Sequence, residues 1–520
     1  MREEARLLKT ASARTEIAYG LSLFLATVAS RVPFRSQILY HWDSVNFANA
    51  MRHFDVLQEY PQPPGYIVYV WLCRLVDWLF HDANATMVWI SVITSALAVV
   101  TLYLVGKTMY DRRVGLVAAL LLASSPLFWF YGEIALPHTL DTFLVLLAVW
   151  LLFRVQRGEH RLVWPATVVL ATAGGVRQQT LIFLLPLAFY AFWEIGLKRW
   201  LLAGLLGAIL CLAWFAPLMA SCGGIGAYLA ETSTFGARFQ RSTSVFMGAG
   251  WDGVVHNLRK LGIYTTYGAS VALIPFGLYG LARLSRQAWP YDWGRLVFLG
   301  LWTTPALLFY SLIHMGQQGL IFVFLPALLL LAALAAVHLA KGSDQTICAV
   351  VAAAMIVNAC VFGVAPELPL GPGGQRLLTR RTLENSDRYF LDRFAAIRRS
   401  FAPEHTAIMA LRWSHLEYYL PLYAFLRVDE VSQDNGVVMA LRQWPWGKDD
   451  TLSFEDLQLE PSPTGLVIVL YDRELRTLMG DAIELQGMTL ADGGELTYFR
   501  LGSHQALVRH GRTLRIEEAD

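Results

Sequence analysis

The first polar stretch suited to chemistry is His41-Trp42-Asp43-Ser44, which follows the first long apolar run of the chain. Its aspartate, Asp43, precedes apolar residues at helical spacing, where a carboxylate can cap a helix by accepting hydrogen bonds from free backbone amides. A carboxylate at a helix N-terminus is also held ionised and oriented, as the acceptor of a proton from a nucleophile must be. The stretch therefore indicates a helix N-cap, a general base, or both in one residue.

A second acidic cluster extends from Glu133 to Asp141 and includes His138. We expect Glu133 at the water interface, and Asp141 on the same helical face as His138, in the first turn of the next apolar run. A carboxylate inside an apolar run is costly and usually faces a polar cavity or a partner, which favours a functional Asp141. The three side chains are also candidate metal ligands, although their spacing is not diagnostic of any metal.

Two more polar turns interrupt the apolar runs. One contains Arg177 and Gln178. This arginine either reaches lipid headgroups through its long stem or grips a phosphate with its planar fork. The other turn is His314-Met315-Gly316-Gln317-Gln318-Gly319, whose histidine and two amides form either a plain polar turn or donors for a hydroxyl-rich ligand or a phosphate.

The composition identifies the kind of element that must carry these residues. Of 520 residues, 55% are hydrophobic and 16% are charged, against about a quarter charged in a soluble domain. The five cysteines are scattered, which excludes a disulfide framework and a cysteine metal site. A net charge of +2 without a basic arm gives no sign of nucleic-acid binding. The chain is therefore predicted to be an integral membrane protein.

Eleven apolar runs are predicted to form transmembrane helices. They lie at 16–33, 86–106, 113–131, 138–154, 162–177, 180–196, 200–220, 263–284, 296–313, 319–340 and 345–364. A shorter run, 65–80, contains Arg74 and Asp77. If 65–80 lies along the membrane surface, the Lys and Arg residues of the short loops fall on the cytoplasmic side, as the positive-inside rule requires. The N-terminus is then cytoplasmic, and all four polar clusters face outward.

The remaining segments complete the predicted architecture. In the first outer loop, one surface helix begins near Ser44 and the other is 65–80, joined by a proline-rich turn. Residues 1–365 form the transmembrane domain, and 366–520 form a small extracytoplasmic α/β domain. Its predicted elements are a helix at 386–400, strands at 405–411, 436–441 and 465–471, and a hairpin at 506–517 that turns at His510-Gly511.

The order of these features resembles the GT-C superfamily of polyprenyl-phosphate-sugar-dependent glycosyltransferases. Within it, the chain is most similar to the branch of protein O-mannosyltransferases and lipid A aminoarabinose transferases. The resemblance covers residues 15–200 well, the later spans loosely and the C-terminal domain hardly at all. It is carried by Asp43, Pro63-Pro64-Gly65-Tyr66, Tyr110-Asp111-Arg112-Arg113-Val114-Gly115-Leu116, Ser125-Pro126 and the turn from Glu133 to Asp141.

This resemblance implies roles for several residues. The first-loop aspartate of the family is its proposed catalytic base, which corresponds to Asp43, and Glu133 and Asp141 compete for the carboxylate of the second outer loop. Gln62 stands where the family often has a histidine. Some members bind a divalent metal, which makes such an ion a candidate cofactor with unknown ligands. The candidate substrate-binding residues are Tyr66, His138, Arg177, Gln178, His314, Gln317 and Gln318.

The expected function is that of an inverting glycosyltransferase in a bacterial inner (plasma) membrane. It would move a sugar from a polyprenyl-phosphate donor to a hydroxyl of a lipid, glycan or protein acceptor at the outer, periplasmic face. The alternative is a transporter or flippase for a lipid-linked or anionic sugar, which would also use carboxylates and arginine. Transporters often contain inverted repeats, and no repeat is recognisable in this sequence.

Overall fold

The computed structural model describes residues 2–284, 292–370, 376–411, 413–433, 436–443, 451–453, 458–460, 466–478, 484–501, 506–509 and 512–513. The chain divides into two compact units. The first comprises Met1–Gln37 and Asn46–Leu383, and the second comprises Ile38–Val45 and Glu384–Asp520. The domain boundary predicted between residues 365 and 366 stays a prediction.

Helices make up the first part of the chain. In order they are α1 (Arg2–Arg31), α2 (Trp42–Arg52), α3 (Ile67–Phe80), α4 (Ala83–Met109), α5 (Arg112–Ser124), α6 (Pro126–Tyr131), α7 (His138–Gln156), α8 (Val163–Val176), α9 (Gln178–Phe192), α10 (Leu197–Ser221), α11 (Ile225–Gln240), α12 (Gly250–Ala269), α13 (Leu273–Leu284), α14 (Trp293–Leu312), α15 (Leu325–Leu339) and α16 (Asp344–Val364).

These helices confirm the predicted class of a polytopic helical membrane protein. Within the described residues, seven segments are long and apolar enough to cross a membrane. They are Arg14–Phe34, Ala83–Met109, His138–Gln156, Leu197–Ser221, Gly250–Leu281, Trp293–Leu312 and Asp344–Val364. Two shorter apolar helices are Gln178–Phe192 and Leu325–Leu339. Each predicted run coincides with helical structure, and the total of eleven spans stays a prediction.

Local chemistry fixes where several helices begin. The carboxylates of Asp82 and Asp111 accept hydrogen bonds from Ala85 N–H (2.7 Å) and Val114 N–H (2.9 Å), which caps α4 and α5. The predicted run 113–131 is divided because Pro126 has no N–H to donate, so α5 ends at Ser124 and α6 starts at Pro126, with Ser125 as the cap between them. The Ser125 hydroxyl then donates to the Gly268 carbonyl (2.6 Å).

Both predicted helices of the first outer loop are present as α2 and α3. The Arg74 guanidinium on α3 donates to the carbonyls of Ala50 (2.8 Å) and Met51 (3.0 Å) at the end of α2. Leu75 and Trp78, also on α3, are more than two-thirds exposed. With 14 residues, α3 is shorter than the about 20 residues of a typical transmembrane helix. Its position along the outer membrane surface stays a prediction.

A close approach of three helices precedes Arg177. A Cβ on Gly175 of α8 would lie 2.3 Å from Val68 Cγ2 of α3 and 3.0 Å from the Trp214 ring of α10. Only glycine leaves room for these two neighbours at that position. The Trp214 indole also donates to the Ala171 carbonyl (3.0 Å), which holds α10 against α8. The junction between α8 and α9, where Arg177 lies, is therefore packed on both sides.

The second unit confirms the predicted small α/β region. It contains α17 (Arg380–Ser400, from Glu384 onward), α18 (Trp413–Tyr419) and α19 (Leu475–Leu478). The strands are β1 (Thr406–Ala410), β2 (Ala424–Gln433), β3 (Gly436–Gln443), β4 (Thr451–Ser453), β5 (Gln458–Glu460), β6 (Leu466–Leu470), β7 (Gln486–Thr489), β8 (Glu495–Leu501), β9 (Ala506–Arg509) and β10 (Arg512–Thr513). The main sheet has the order β4-β3-β2-β1-β6-β8-β7, with β1 parallel to β2 and β6.

Sequence patterns anticipated much of this unit. The predicted strands at 405–411, 436–441 and 465–471 correspond to β1, β3 and β6. The predicted hairpin is present as antiparallel β9 and β10, while its turn at His510-Gly511 and residues 514–517 lie outside the described residues, as does Gly465. The apolar face of α17 packs into the core through Phe390, Phe394 and Ile397.

Candidate functional site

Asp43 lies in the first turn of α2 beside a histidine. The His41 carbonyl accepts the first helical hydrogen bond, from Val45 N–H (3.3 Å), so His41 holds the N-cap position predicted for Asp43. The Asp43 N–H donates to His41 Nδ1 (3.1 Å), and Asp43 Oδ2 lies 3.5 Å from the same nitrogen. Asp43 is buried, whereas the His41 ring is 28% exposed. His41 was not among the predicted site residues, although its spacing of two residues from Asp43 was the available signal.

Asp141 and Arg177 form a buried ion pair in the first unit. Arg177 Nη1 lies 3.6 Å from Asp141 Oδ2, and Thr180 Oγ1 donates to Asp141 Oδ1 (2.7 Å). Arg177 Nη2 also donates to Gln179 Oε1 (3.2 Å). Arg177 is 6% exposed, so its guanidinium does not extend to lipid headgroups, which was one of the two alternatives for this residue. Two tyrosines lie close enough to interact electrostatically with Arg177. They are Tyr310 on α14, which is fully buried, and Tyr66, which is half-buried.

The backbone at this pair places Arg177 immediately before α9. Arg177 has extended backbone dihedral angles (φ −153°, ψ 107°) and occupies the N-cap position of α9 without a side-chain cap. The free amides and the dipole at a helix N-terminus favour an anion. A guanidinium and a helix N-terminus therefore coincide at the junction of α8 and α9.

Glu133 is fully buried, which contradicts its predicted place at the water interface. Burial raises the pKa of the Glu133 carboxyl well above its ordinary value, although the positive charge of Arg31 acts to lower that pKa. Arg31 is itself buried, donates to the Ala123 carbonyl (2.6 Å) and lies 4.7 Å from the centre of the Trp129 ring. The Glu133 backbone carbonyl accepts from Ser36 N–H (3.0 Å). Arg31 was not predicted as a partner of Glu133 because it lies within the apolar run 16–33.

His138 packs against aromatic and backbone groups. Its ring lies 4.8 Å from the Tyr131 ring, centre to centre. A Cβ on Gly319 would lie 2.4 Å from His138 Cδ2 and 2.6 Å from Tyr131 Cε1, so glycine is needed for this close approach. Next to it, Gln318 Nε2 donates to the Arg376 carbonyl (2.9 Å), and Gln317 immediately precedes the 3₁₀ turn Gln318–Val323.

Gln178 joins the turn before α3 to α11. Its amide nitrogen donates to the Pro64 carbonyl (3.2 Å), and Tyr228 on α11 bonds both to Gln178 Oε1 and to the same carbonyl (3.1 Å each). Tyr66, two residues after Pro64, is left-handed (φ 42°) and packs its ring edge against Phe47 (5.2 Å). A bulky residue at positive φ is an outlier that occurs often at functional sites.

His314 is held by a third set of hydrogen bonds. Its Nδ1 lies 3.0 Å from Thr243 Oγ1, and Asn257 donates to the Thr243 carbonyl (2.9 Å) while accepting from Met315 N–H (3.1 Å). Burial, together with the positive charges of Lys260 and His256, lowers the pKa of His314 to about 4. A neutral imidazole at neutral pH can donate a hydrogen bond to an uncharged group or accept one from it.

This low pKa predicts a pH dependence of stability. Because the folded pKa is about 4 and the ordinary value is 6.5, the unfolded chain binds a proton first as the pH falls. The contribution of His314 to the free energy of unfolding is therefore fully present above pH 6.5 and is lost as the pH falls from 6.5 towards 4. His314→Gln should lose less stability over that window, measured as unfolding temperature against pH in detergent. As a control, His53→Gln removes a ring that is 72% exposed and should give the same dependence of unfolding temperature on pH as the wild type. The same pH dependence in all three proteins would contradict the prediction.

The predicted metal ligands do not gather in one place. Asp141 is engaged by Arg177 and Thr180, Glu133 faces Arg31, and His138 packs on Tyr131. Across the ranges that the structure describes, no group of three or more His, Cys, Asp or Glu side chains is arranged to hold a metal ion. Glu133, His138 and Asp141 therefore do not fit a shared ion in this arrangement.

The structure brings some predicted site residues together and separates others. In the first unit, Asp141 and Arg177 form one pair, with Gln178 next in sequence and Tyr66 within electrostatic range of Arg177. His314 and Gln318 belong to other hydrogen-bond sets. Asp43 and His41 belong to the second unit, whereas Glu133, Asp141 and Arg177 belong to the first.

Residues 62–220 match the family model described as dolichyl-phosphate-mannose-protein mannosyltransferase. No curated protein sequence matches the chain. The fold is similar to that of ArnT from Cupriavidus metallidurans bound to undecaprenyl phosphate, with a TM-score of 0.55, 12% identity, and coverage of 94% of this chain and 98% of that chain. The apo state of the same protein gives a TM-score of 0.53 at 12% identity and the same coverage.

The matched family segment contains Glu133, Asp141 and Arg177, and the similarity in fold extends over nearly the whole length of both chains. The family match over residues 62–220 agrees with the resemblance predicted from the sequence, and the similarity to ArnT at 12% identity shows a shared fold.

Proposed function

We propose that this chain is an inverting glycosyltransferase that uses a polyprenyl-phosphate sugar as its donor. The observation that carries the proposal is the family match over residues 62–220, which includes the buried Asp141–Arg177 pair. The similarity in fold to ArnT, a protein solved with undecaprenyl phosphate bound, supports a lipid phosphate as the leaving group. The acceptor is a hydroxyl of a lipid, a glycan or a protein.

Asp43 acts as the general base in this proposal. Its carboxylate takes the proton of the acceptor hydroxyl while the hydroxyl oxygen attacks the anomeric carbon. The bond between the anomeric carbon and the phosphate oxygen breaks, and its electron pair leaves with the polyprenyl phosphate. A single displacement inverts the configuration at that carbon. His41, 3.5 Å from Asp43 Oδ2, restrains the carboxylate on the first turn of α2.

Arg177 stabilises the departing phosphate in this proposal. Negative charge grows on the phosphate as the sugar leaves, and a fixed cation aimed at that position lowers the barrier. Asp141 and Gln179 hold the guanidinium in place, and the N-terminus of α9 adds backbone amides that favour an anion. Asp141 is thus the stronger candidate for the carboxylate of the second outer loop, because Glu133 faces Arg31 instead.

The remaining expectations complete the proposal. The N-terminus is cytoplasmic and the C-terminal domain is extracytoplasmic, which the distribution of Lys and Arg among the short loops supports. The membrane is a bacterial inner membrane, and the reaction takes place at its outer face. The proposed contacts for the donor or the acceptor are Tyr66, His138, Gln178, His314, Gln317 and Gln318. Chelation tests the proposed requirement for a divalent metal ion.

The chemical fate of the sugar tests the proposal. The full chain is reconstituted in vesicles with undecaprenyl-phosphate hexoses and pentoses labelled in the sugar, and with membrane lipids, envelope glycans and envelope proteins supplied separately as acceptors. We expect label on one acceptor class and release of unlabelled undecaprenyl phosphate. Label that crosses the bilayer while it remains attached to undecaprenyl phosphate would identify a flippase and contradict the proposal.

A further inference from the structure

The segment that carries Asp43 belongs to the same compact unit as the C-terminal domain. Ile38–Val45 groups with Glu384–Asp520, although more than 300 residues separate them in sequence. Ile38 is fully buried in the core that Phe390, Phe394 and Ile397 of α17 also form. The first outer loop therefore contributes a core residue to this domain, five positions before Asp43.

Two side chains of α18 bind the backbone of the next residue, Leu39. The Leu39 N–H donates to the Tyr419 hydroxyl (3.0 Å), and the Leu39 carbonyl accepts from His415 Nε2 (2.8 Å). His415 and Tyr419 are four residues apart, so they lie on one face of α18. Both backbone groups of one loop residue are thus bonded by one short helix.

The two side chains are themselves held rigidly. The His415 ring stacks on Phe390 with ring centres 4.3 Å apart and an angle of 16° between the planes. The Tyr419 ring packs against Phe394 (5.3 Å), and the Tyr419 carbonyl accepts from Arg398 (2.6 Å). A rigid support of this kind transmits its position to the backbone that it binds.

We propose that His415 and Tyr419 of the C-terminal domain are positioning residues for Asp43. By bonding the N–H and the carbonyl of Leu39, they fix the backbone three residues before α2 starts and four before the carboxylate. The inference rests on the proposed role of Asp43 as the base, and it gives the C-terminal domain a part in the reaction. Displacing a catalytic group by about 1 Å can slow a reaction about 10²-fold.

The first test measures the contact itself and needs no activity. Hydrogen–deuterium exchange of the peptide covering residues 36–45 is recorded for the full chain and for Tyr419→Phe, which removes the acceptor of the Leu39 N–H. Losing one hydrogen bond should speed exchange at Leu39 roughly 2- to 10-fold. The matched control is Tyr423→Phe in the same core, whose hydroxyl donates to the Phe401 carbonyl (2.9 Å) and not to the loop. Unchanged exchange in Tyr419→Phe would overturn the proposal.

The second test separates positioning from folding. With labelled undecaprenyl-phosphate sugar, His415→Leu combined with Tyr419→Phe should lower kcat about 10- to 100-fold with little change in KM for the donor. His415→Gln, which keeps an N–H donor at the corresponding position, should recover most of the rate relative to His415→Leu, and Tyr423→Phe should leave kcat unchanged. Equal loss in the Gln and Leu variants, or a loss in KM alone, would overturn the positioning role.

The outcomes also separate this inference from the proposed function. If Asp43→Asn abolishes transfer while the double variant of His415 and Tyr419 keeps full kcat despite faster exchange, the base assignment stands and the positioning role fails. If Asp43→Asn transfers sugar normally, both the proposed function of Asp43 and the positioning role fail, and only the measured backbone contact remains.

Discussion

Asp43→Asn is expected to lower the rate of sugar transfer by about 10²- to 10⁴-fold, the usual contribution of a general base. Asparagine has nearly the same shape, so its backbone N–H can still donate to His41 Nδ1, and the first turn of α2 should persist. The variant should therefore remain folded and bind undecaprenyl phosphate as the wild type does. The measurements are initial rates with labelled donor, and binding of undecaprenyl phosphate by thermal shift.

The matched control is Asp55→Asn in the same outer loop. Asp55 Oδ1 accepts from Leu57 N–H (2.9 Å), and an asparagine oxygen can accept the same bond. We expect wild-type rates for this variant. A rate for Asp43→Asn within a factor of about three of wild type, with Asp55→Asn unchanged, would remove Asp43 as the base, since a general base contributes at least about 10²-fold.

The second large effect concerns the buried pair of Asp141 and Arg177. Arg177→Gln leaves the Asp141 carboxylate buried without its cation, which should cost about 3–5 kcal/mol of folding stability. In the double variant Asp141→Asn with Arg177→Gln, no charge is left unpaired, so most of that stability should return. Transfer should nevertheless stay about 10²- to 10³-fold below wild type, because the cation proposed to face the phosphate is gone. Thermal unfolding and initial rates on the same samples measure both quantities.

An exposed ion pair provides the control for this experiment. Arg113 Nε lies 2.8 Å from Asp344 Oδ1, and both side chains are at least half exposed. Arg113→Gln should change stability by about 0–1 kcal/mol and leave transfer unchanged. If the double variant of Asp141 and Arg177 transferred sugar at the wild-type rate, Arg177 would be a structural residue and another group would have to stabilise the phosphate.

Hydropathy and periodicity predicted most of the elements that carry the site. Apolar runs gave the helices because bilayer-spanning segments must be apolar along their whole length. The distribution of Lys and Arg among the loops also identified 65–80 as the one run that should not span; the structure forms it as the 14-residue helix α3, and its place relative to the membrane stays a prediction. The break at Ser125-Pro126 was missed because hydropathy is insensitive to the missing N–H of proline.

Contacts between residues far apart in the chain could not be predicted from the sequence. Asp141 was recognised as costly within an apolar run, and Arg177 as a contact for lipid headgroups or for a phosphate, yet their ion pair depends on how α7 packs beside the junction of α8 and α9. Glu133 was expected in water because its own turn is polar, but Arg31 from α1 shares its buried surroundings. The bonds from His415 and Tyr419 to Leu39 join residues more than 370 positions apart, and no local pattern indicates them.

The stereochemistry of transfer distinguishes a single displacement assisted by Asp43 from other reactions. Undecaprenyl-phosphate sugar carrying ¹³C at the anomeric carbon is incubated with the full chain and acceptor, and the one-bond carbon–proton coupling of donor and product is read by NMR. We expect the wild type to form a product of opposite anomeric configuration, and Asp43→Asn to form it about 10²- to 10⁴-fold more slowly. A product with retained configuration, or donor that stays intact while wild-type protein is present, would contradict it.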